Sequence, residues 1–167
     1  MAFKYTSETF QISASVTETA PNTLTTQTIN LNLDSLSREI LVIEMVDLDV
    51  SAPELIGGAR TQMNVSLNDA NIGVGGLGTP RVVATANNII VADAGLGMAV
   101  SFQNSEPKFA QTSDNPIYVS ATDDLFLSIQ GTANGGIVGQ GQCRIFARRA
   151  QATADTYAAI LTSQFNS

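Results

Sequence analysis

Apolar positions recur every second residue along most of this chain, and the longest such run covers residues 38–50. There Ile40, Val42, Val46, Leu48 and Val50 share one parity, interrupted by Glu44. Leu41, Ile43 and Met45 share the other, which turns acidic at Asp47 and Asp49. Successive side chains of a strand point to opposite faces, so the pattern predicts a strand buried on both faces at its start and wet on one at its end. Such a strand belongs at the centre of an antiparallel sandwich.

Shorter runs surround it. Phe10, Ile12, Ala14 and Val16 alternate with Gln11, Ser13, Ser15 and Thr17, the pattern of a half-buried strand. Leu24, Thr26 and Thr28, then Ile29, Leu31 and Leu33, predict a second strand with a change of parity. Met63, Val65 and Leu67 point inward from a strand over residues 61–67. Val82–Val83 and the run 89–91 read as two short strands split by a tight turn at Asn87 and Asn88, because asparagine tolerates left-handed backbone. Further strands are expected at 99–103, 117–119, 125–129 and 142–148, the last with Cys143, Ile145 and Ala147 on one face. Gly, Pro, Asn and Asp mark the intervening turns, with long loops at 70–80 and 104–116. Only the tail changes period: Ala150, Ala154, Tyr157, Ala158, Leu161 and Phe165 form a helical stripe without an interrupting glycine or proline.

The fold expected from these segments is all-β: an antiparallel β-sandwich of jelly-roll type with a C-terminal α-helix. One domain spans 1–167, with 1–25 as an extended N-terminal arm or edge strand and 151–165 as the helix.

Composition narrows function by exclusion. The chain is 44% hydrophobic and only 14% charged, against a usual charged share of about 25%. Its surface is therefore covered by uncharged polar residues. Protein–protein interfaces are depleted in Lys, Glu and Asp in this way, although a neutral secreted β domain accounts for the same figures. A net charge of −7 argues against direct nucleic-acid binding, which needs a basic footprint. There is no His and only one Cys, so the usual proton shuttle, the commonest metal ligand and an activated thiol are all missing. No enzymatic chemistry, cofactor or small-molecule substrate is expected. The first residues lack the apolar run of a signal peptide, and no segment approaches the roughly 20 apolar residues that cross a bilayer as a helix.

Residues 73–78 satisfy G-x-G-x-x-G, but Thr79 and Pro80 lead into a strand, whereas a dinucleotide fingerprint opens a helix. Asp47, Asp49, Glu54, Asp123 and Asp124 carry the oxygens calcium takes, yet alternate acids on a strand are ordinarily its wet side, and no metal is assigned. Glu44, on an apolar parity, needs a partner; Arg38, Arg60 and Arg144 are the candidates for a structural or intersubunit ion pair. Cys143 reads as a small core residue. Arg144, Arg148 and Arg149 gather where the last strand meets the helix, to face water or carboxylates of a neighbouring subunit. A short helix needs packing to persist, so Tyr157, Leu161 and Phe165 either cap the sandwich or touch a neighbour. The assembly contacts expected are Tyr157, Leu161, Phe165, Arg148 and Arg149.

A Ser/Thr-rich arm, a short sandwich and a closing helix together resemble the single jelly-roll capsid proteins of icosahedral viruses, as architecture across most of the chain. The resemblance implies a self-assembling virion protein, made in the host cytoplasm without a signal peptide, whose partners are copies of itself and other virion proteins. Its loops at 70–80 and 104–116 then face solvent or neighbours. The arm sets Lys4 against Glu8 and Glu18 where many small capsids carry a basic run, which implies that something else neutralises the genome. The alternative is a non-catalytic binding module for carbohydrate or adhesion. Sugar sites usually want exposed aromatic faces, and here Trp is absent and the tyrosines are Tyr5, Tyr118 and Tyr157. Deleting residues 151–167 is expected to leave a folded sandwich that associates more weakly.

Overall fold

The computed structural model describes residues 3–112 and 115–166. Met1 and Ala2 of the expected arm, Ser113 and Asp114 of the 104–116 loop, and Ser167 lie outside the described residues. In chain order the strands are β1 (Phe3–Tyr5), β2 (Phe10–Thr17), β3 (Thr25–Asn30), β4 (Glu39–Val50), β5 (Arg60–Asn68) and β6 (Val82–Ala92). They continue with β7 (Ala99–Asn104), β8 (Lys108–Phe109), β9 (Tyr118–Ser120), β10 (Asp124–Thr132) and β11 (Gln140–Ala152), and helix α1 (Ala154–Phe165) closes the chain.

Every pairing is antiparallel. Sheet A runs β2–β11–β4–β9, lengthened at its two edges by β1 and β8. Sheet B runs β3–β10–β5–β6–β7. The order β2–β11–β4–β9 facing β3–β10–β5–β6 is that of a jelly roll; β7 is an addition at one edge. The main core lies between the sheets, where Ile43, Met63, Val65, Leu67, Leu125, Leu127, Ile129 and Ile145 are fully buried. Close approach of the sheets demands Gly141: a Cβ there would meet Val65 Cγ2 at 2.8 Å.

The 38–50 run does form the central strand, but its parity is not continuous. The ladder to β11 pairs Ala147 with Ile43 and Phe146 with Met45, leaving Glu44 as the extra residue of a β-bulge. One inserted residue exchanges the faces. Leu41 and Ile43 therefore enter the main core before the bulge, and Val46, Leu48 and Val50 after it. Ile40 and Val42, on the same parity as Val46 in the sequence, instead face the far side of sheet A.

Two other expectations change. Asn87 and Asn88 do not turn the chain; they sit inside β6, opposite Asn64 and Met63 of β5 and Asn104 and Gln103 of β7. Ladders on both sides outweigh the weak strand preference of asparagine. The tail stays extended through Ala152, so the helix begins at Ala154. Its buried face is rotated from the expected stripe: Tyr157 and Leu161 pack as expected, beside Ile160 and Gln164, while Ala154, Ala158 and Phe165 are exposed. Tyr157, Ile160 and Leu161 pack with Ile40, Val42, Ala121, Ala150 and Ala152 in a second apolar cluster on the outer face of sheet A. Thr153 caps the helix, its Oγ1 accepting from Thr156 N at 3.3 Å.

Candidate functional site

The helical end of sheet A holds four of the five residues expected to mediate assembly, and it engages them within the chain. Tyr157 and Leu161 belong to the second cluster. Arg148 reaches Glu44 Oε1 at 2.9 Å, donates to Thr9 Oγ1 at 3.0 Å and lies 4.7 Å above the Tyr5 ring. The partner of Glu44 is thus Arg148, in place of Arg38, Arg60 or Arg144; Glu44 continues the outer face of Ile40 and Val42, where Arg148 lies, and the bulge turns the following Val46 inward. Arg149 donates to Glu39 Oε2 at 2.8 Å and to the Leu31 and Asn32 carbonyls at 2.7 and 3.1 Å, tying the β3–β4 loop to β11. Carboxylates of this chain meet these two arginines. Phe165 is apart, 71% exposed near the helix end.

The residue that periodicity missed on this helix is Gln164, 4% exposed. It accepts from Ala121 N at 3.3 Å and donates to the Val119 carbonyl at 3.2 Å, pinning the last turn to β9. A glutamine within an apolar stripe reads as polar in sequence, so nothing local marks it as buried.

Polar clamps occupy both ends of the sandwich. At one end Glu18, 3% exposed, accepts from Gly131 N at 2.6 Å and Gly139 N at 2.7 Å. Beside it Asn134 N donates to Asn22 Oδ1 at 2.9 Å, and Asn134 Oδ1 accepts from Glu54 N at 2.8 Å. The Glu54 carboxylate accepts from Gly136 N and Gly135 N, which hold it below the usual carboxylate range. At the other end Asp69 is 1% exposed. It accepts from Arg81 Nε at 2.7 Å and from the Tyr118 hydroxyl at 2.7 Å, joining the β5–β6 loop of sheet B to β9 of sheet A. Burial, then the hydrogen bond to Asp69 and its charge, push the Tyr118 hydroxyl well above its ordinary pKa.

The acids weighed as metal ligands are dispersed. Asp47 and Asp49 line a cavity of about 450 Å³ on the outer face of sheet A with Ser13, Ser15, Gln142 and Arg144. Glu54 is held by its glycines, and Asp123 and Asp124 sit at the opposite end beside β3. Among the described residues no group of three or more His, Cys, Asp or Glu could hold a metal ion. The 73–78 loop leads into β6 and is fastened to sheet B, the Gly73 carbonyl accepting from Asn68 Nδ2 at 2.7 Å. Burial pushes the Cys143 thiol up to about 11. None of the described helices is long and apolar enough to cross a membrane.

What sequence reading did not single out is the β6–β7 corner of sheet B. Val91 is 43%, Leu96 74%, Met98 64%, Val100 53% and Phe102 58% exposed. Val91 pairs with Val100 and Ile89 with Phe102, so these side chains share the outer face. The alternation of Val100 and Phe102 was legible as a strand; that β7 ends its sheet was not.

No protein-family model and no curated protein matches the sequence. Among solved structures, a Bacillus endospore appendage, from a family of disulfide-linked pili, overlaps 87% of this chain and 89% of its own at 16% identity and a TM-score of 0.30. Desmodium yellow mottle tymovirus overlaps 88% of this chain and 90% of its own at 9% identity and a TM-score of 0.27. Turnip yellow mosaic virus overlaps 90% of this chain and 99% of its own at 12% identity and a TM-score of 0.26. These overlaps are loose. The jelly-roll assignment rests on the strand order of the chain itself.

Proposed function

We propose that this chain is a structural, non-catalytic subunit that associates with copies of itself to build a shell, as a virion (capsid) protein does. The observation that carries the reading is the disposition of apolar surface. Leu96, Met98, Val100 and Phe102 stand exposed in one corner of a molecule whose residues are only 14% charged. Contiguous bare apolar surface on a soluble domain marks a contact site. Meanwhile the buried polar groups serve structure: Glu18, Asn134, Asp69 and Gln164 all tie loops or elements together. The thiol of Cys143 is buried with a raised pKa and the sequence holds no His to activate it, which supports a role without catalysis. With a net charge of −7, and with Arg148 and Arg149 already paired, neutralising a genome falls to another component of the particle.

A second reading, a non-catalytic binding module, has one observation in its favour. A cavity of about 320 Å³ on the outer face of sheet B is lined by Asn64, Asn87, Gln130 and Thr132 under Gly75 and Gly76. Amides and hydroxyls suit a carbohydrate, although no aromatic ring lines the cavity. Light scattering on the purified chain over a wide concentration range separates the two. Closed oligomers or shells are expected. A monomer at high concentration in physiological salt, retained on immobilised glycans, would overturn the assembly reading in favour of the module.

A further inference from the structure

We infer that the open edge of sheet B is where a second copy of this chain docks, β7 pairing antiparallel with β7 of that copy around a two-fold axis. The inference rests on the self-association proposed above and assigns it a surface. β7 hydrogen-bonds β6 on one side, and among the described residues no strand lies on the other. All six of its residues are exposed. Sheet edges are normally blunted by charge, proline, a bulge or brevity, because unpaired backbone groups template another strand. Sheet A follows that rule along much of its periphery, with β1, β8 and β9 only three, two and three residues long. β7 has no such protection: its sequence Ala-Val-Ser-Phe-Gln-Asn holds neither charge nor proline, and its ladder to β6 is unbroken.

Other edges offer backbone without grip. β2 is eight residues long, but its outward side chains are Gln11, Ser13 and Ser15. At β7 the free backbone and the apolar side chains coincide. Val91, Leu96, Met98, Val100 and Phe102 together expose on the order of 500 Å² of side chain, at the upper end of what a monomer carries bare. With the strand backbone and a polar margin of Gln103 and Asn104, this approaches the roughly 800 Å² per partner of a stable interface.

Charge selects the occupant. The chain carries 15 acidic against 8 basic residues, so two copies repel wherever carboxylates meet. Strands β5, β6 and β7 contain no carboxylate and a single cation, Arg60. The nearest carboxylates, Asp93 in the β6–β7 connection and Glu106 beyond β7, flank the edge and do not lie on it, and Asp93 is already held by the Gly95 and Leu96 amides. A second copy, presenting the same uncharged edge, meets no like charge along the strands it joins. Self-complementary pairing of one strand with its own copy is the isologous geometry of a two-fold dimer.

The test uses the full chain and the double variant V100K/F102K, which supplies the lysines that guarded edges carry. Sedimentation velocity is expected to show self-association of the parent chain and a dissociation constant raised roughly thirtyfold or more in the variant, the scale of losing a central aromatic anchor. Circular dichroism should be unchanged, since both side chains point to solvent. In parallel, hydrogen exchange on the unmodified chain should slow at the amides of 99–104 as concentration rises. A folded variant that associates like the parent, or protection appearing only elsewhere, overturns this surface while leaving self-association standing. A parent chain that stays monomeric at every concentration overturns both.

Discussion

On the outer face of sheet A, Ile40 and Val42 are fully buried beneath a helix of their own chain, whereas on the outer face of sheet B, Val100 and Phe102 remain more than half exposed. Both pairs are apolar residues in strands. The first contributes to folding, because its burial is realised whenever the chain folds. The second contributes nothing until another molecule covers it, so its stabilisation depends on concentration. An apolar strand residue is therefore no guide to stability until its sheet position and cover are known.

Substitutions can break that contrast. Ile40→Ala, under the helix and 0% exposed, should cost about 2–5 kcal/mol in urea unfolding, the range for emptying a packed aliphatic site. A loss within the noise would mean that the helix is not seated as described. Gln164→Ala should cost about 1–3 kcal/mol, because it leaves the Ala121 N–H and the Val119 carbonyl without their side-chain partner. Faster exchange at the Ala121 amide is its specific signature, and an unaltered rate there would remove the clamp.

Alkaline pH probes the tie between the two sheets. The hydroxyl of Tyr118 has a raised pKa in the fold, through burial and then Asp69, while an unfolded tyrosine ionises near 10. A group with a raised folded pKa stabilises fully below its unfolded value and loses that contribution as pH climbs above it. Ultraviolet titration should accordingly show one tyrosine ionising last, and stability should fall above a pH of about 10. Tyr118→Phe should abolish the late phase; its persistence would assign it to another tyrosine. The smallest expected effect is that of Phe102→Ser, within about 0.5 kcal/mol for the isolated subunit, as for ordinary surface sites. A larger loss would show that the β7 corner is covered by the chain itself after all.

Much of this was legible beforehand. Alternation located Phe10–Thr17, the central strand and the inward set Met63, Val65 and Leu67, because burying one face of a strand imposes a period of two on the residues themselves. The candidate assembly residues were less legible. Arg148 and Arg149 advertise charge, but their carboxylates lie 104 and 110 positions away along the chain by number, at Glu44 and Glu39. Phe165 fits the same helical stripe as Tyr157 and Leu161, yet the face that turns to sheet A is rotated toward Ile160 and Gln164 and leaves it exposed.

Most of the extended segments, the Gly- and Pro-marked turns and the helical character of the tail could be read from residue order, since these follow from side-chain pattern and backbone preference within a few residues. Tertiary structure alone decided the exchange of faces at Glu44, the passage of β6 straight through Asn87 and Asn88, and the exposure of β7. Each depends on which distant strand supplies the neighbouring ladder, and a local pattern says that a residue seeks cover without saying who provides it.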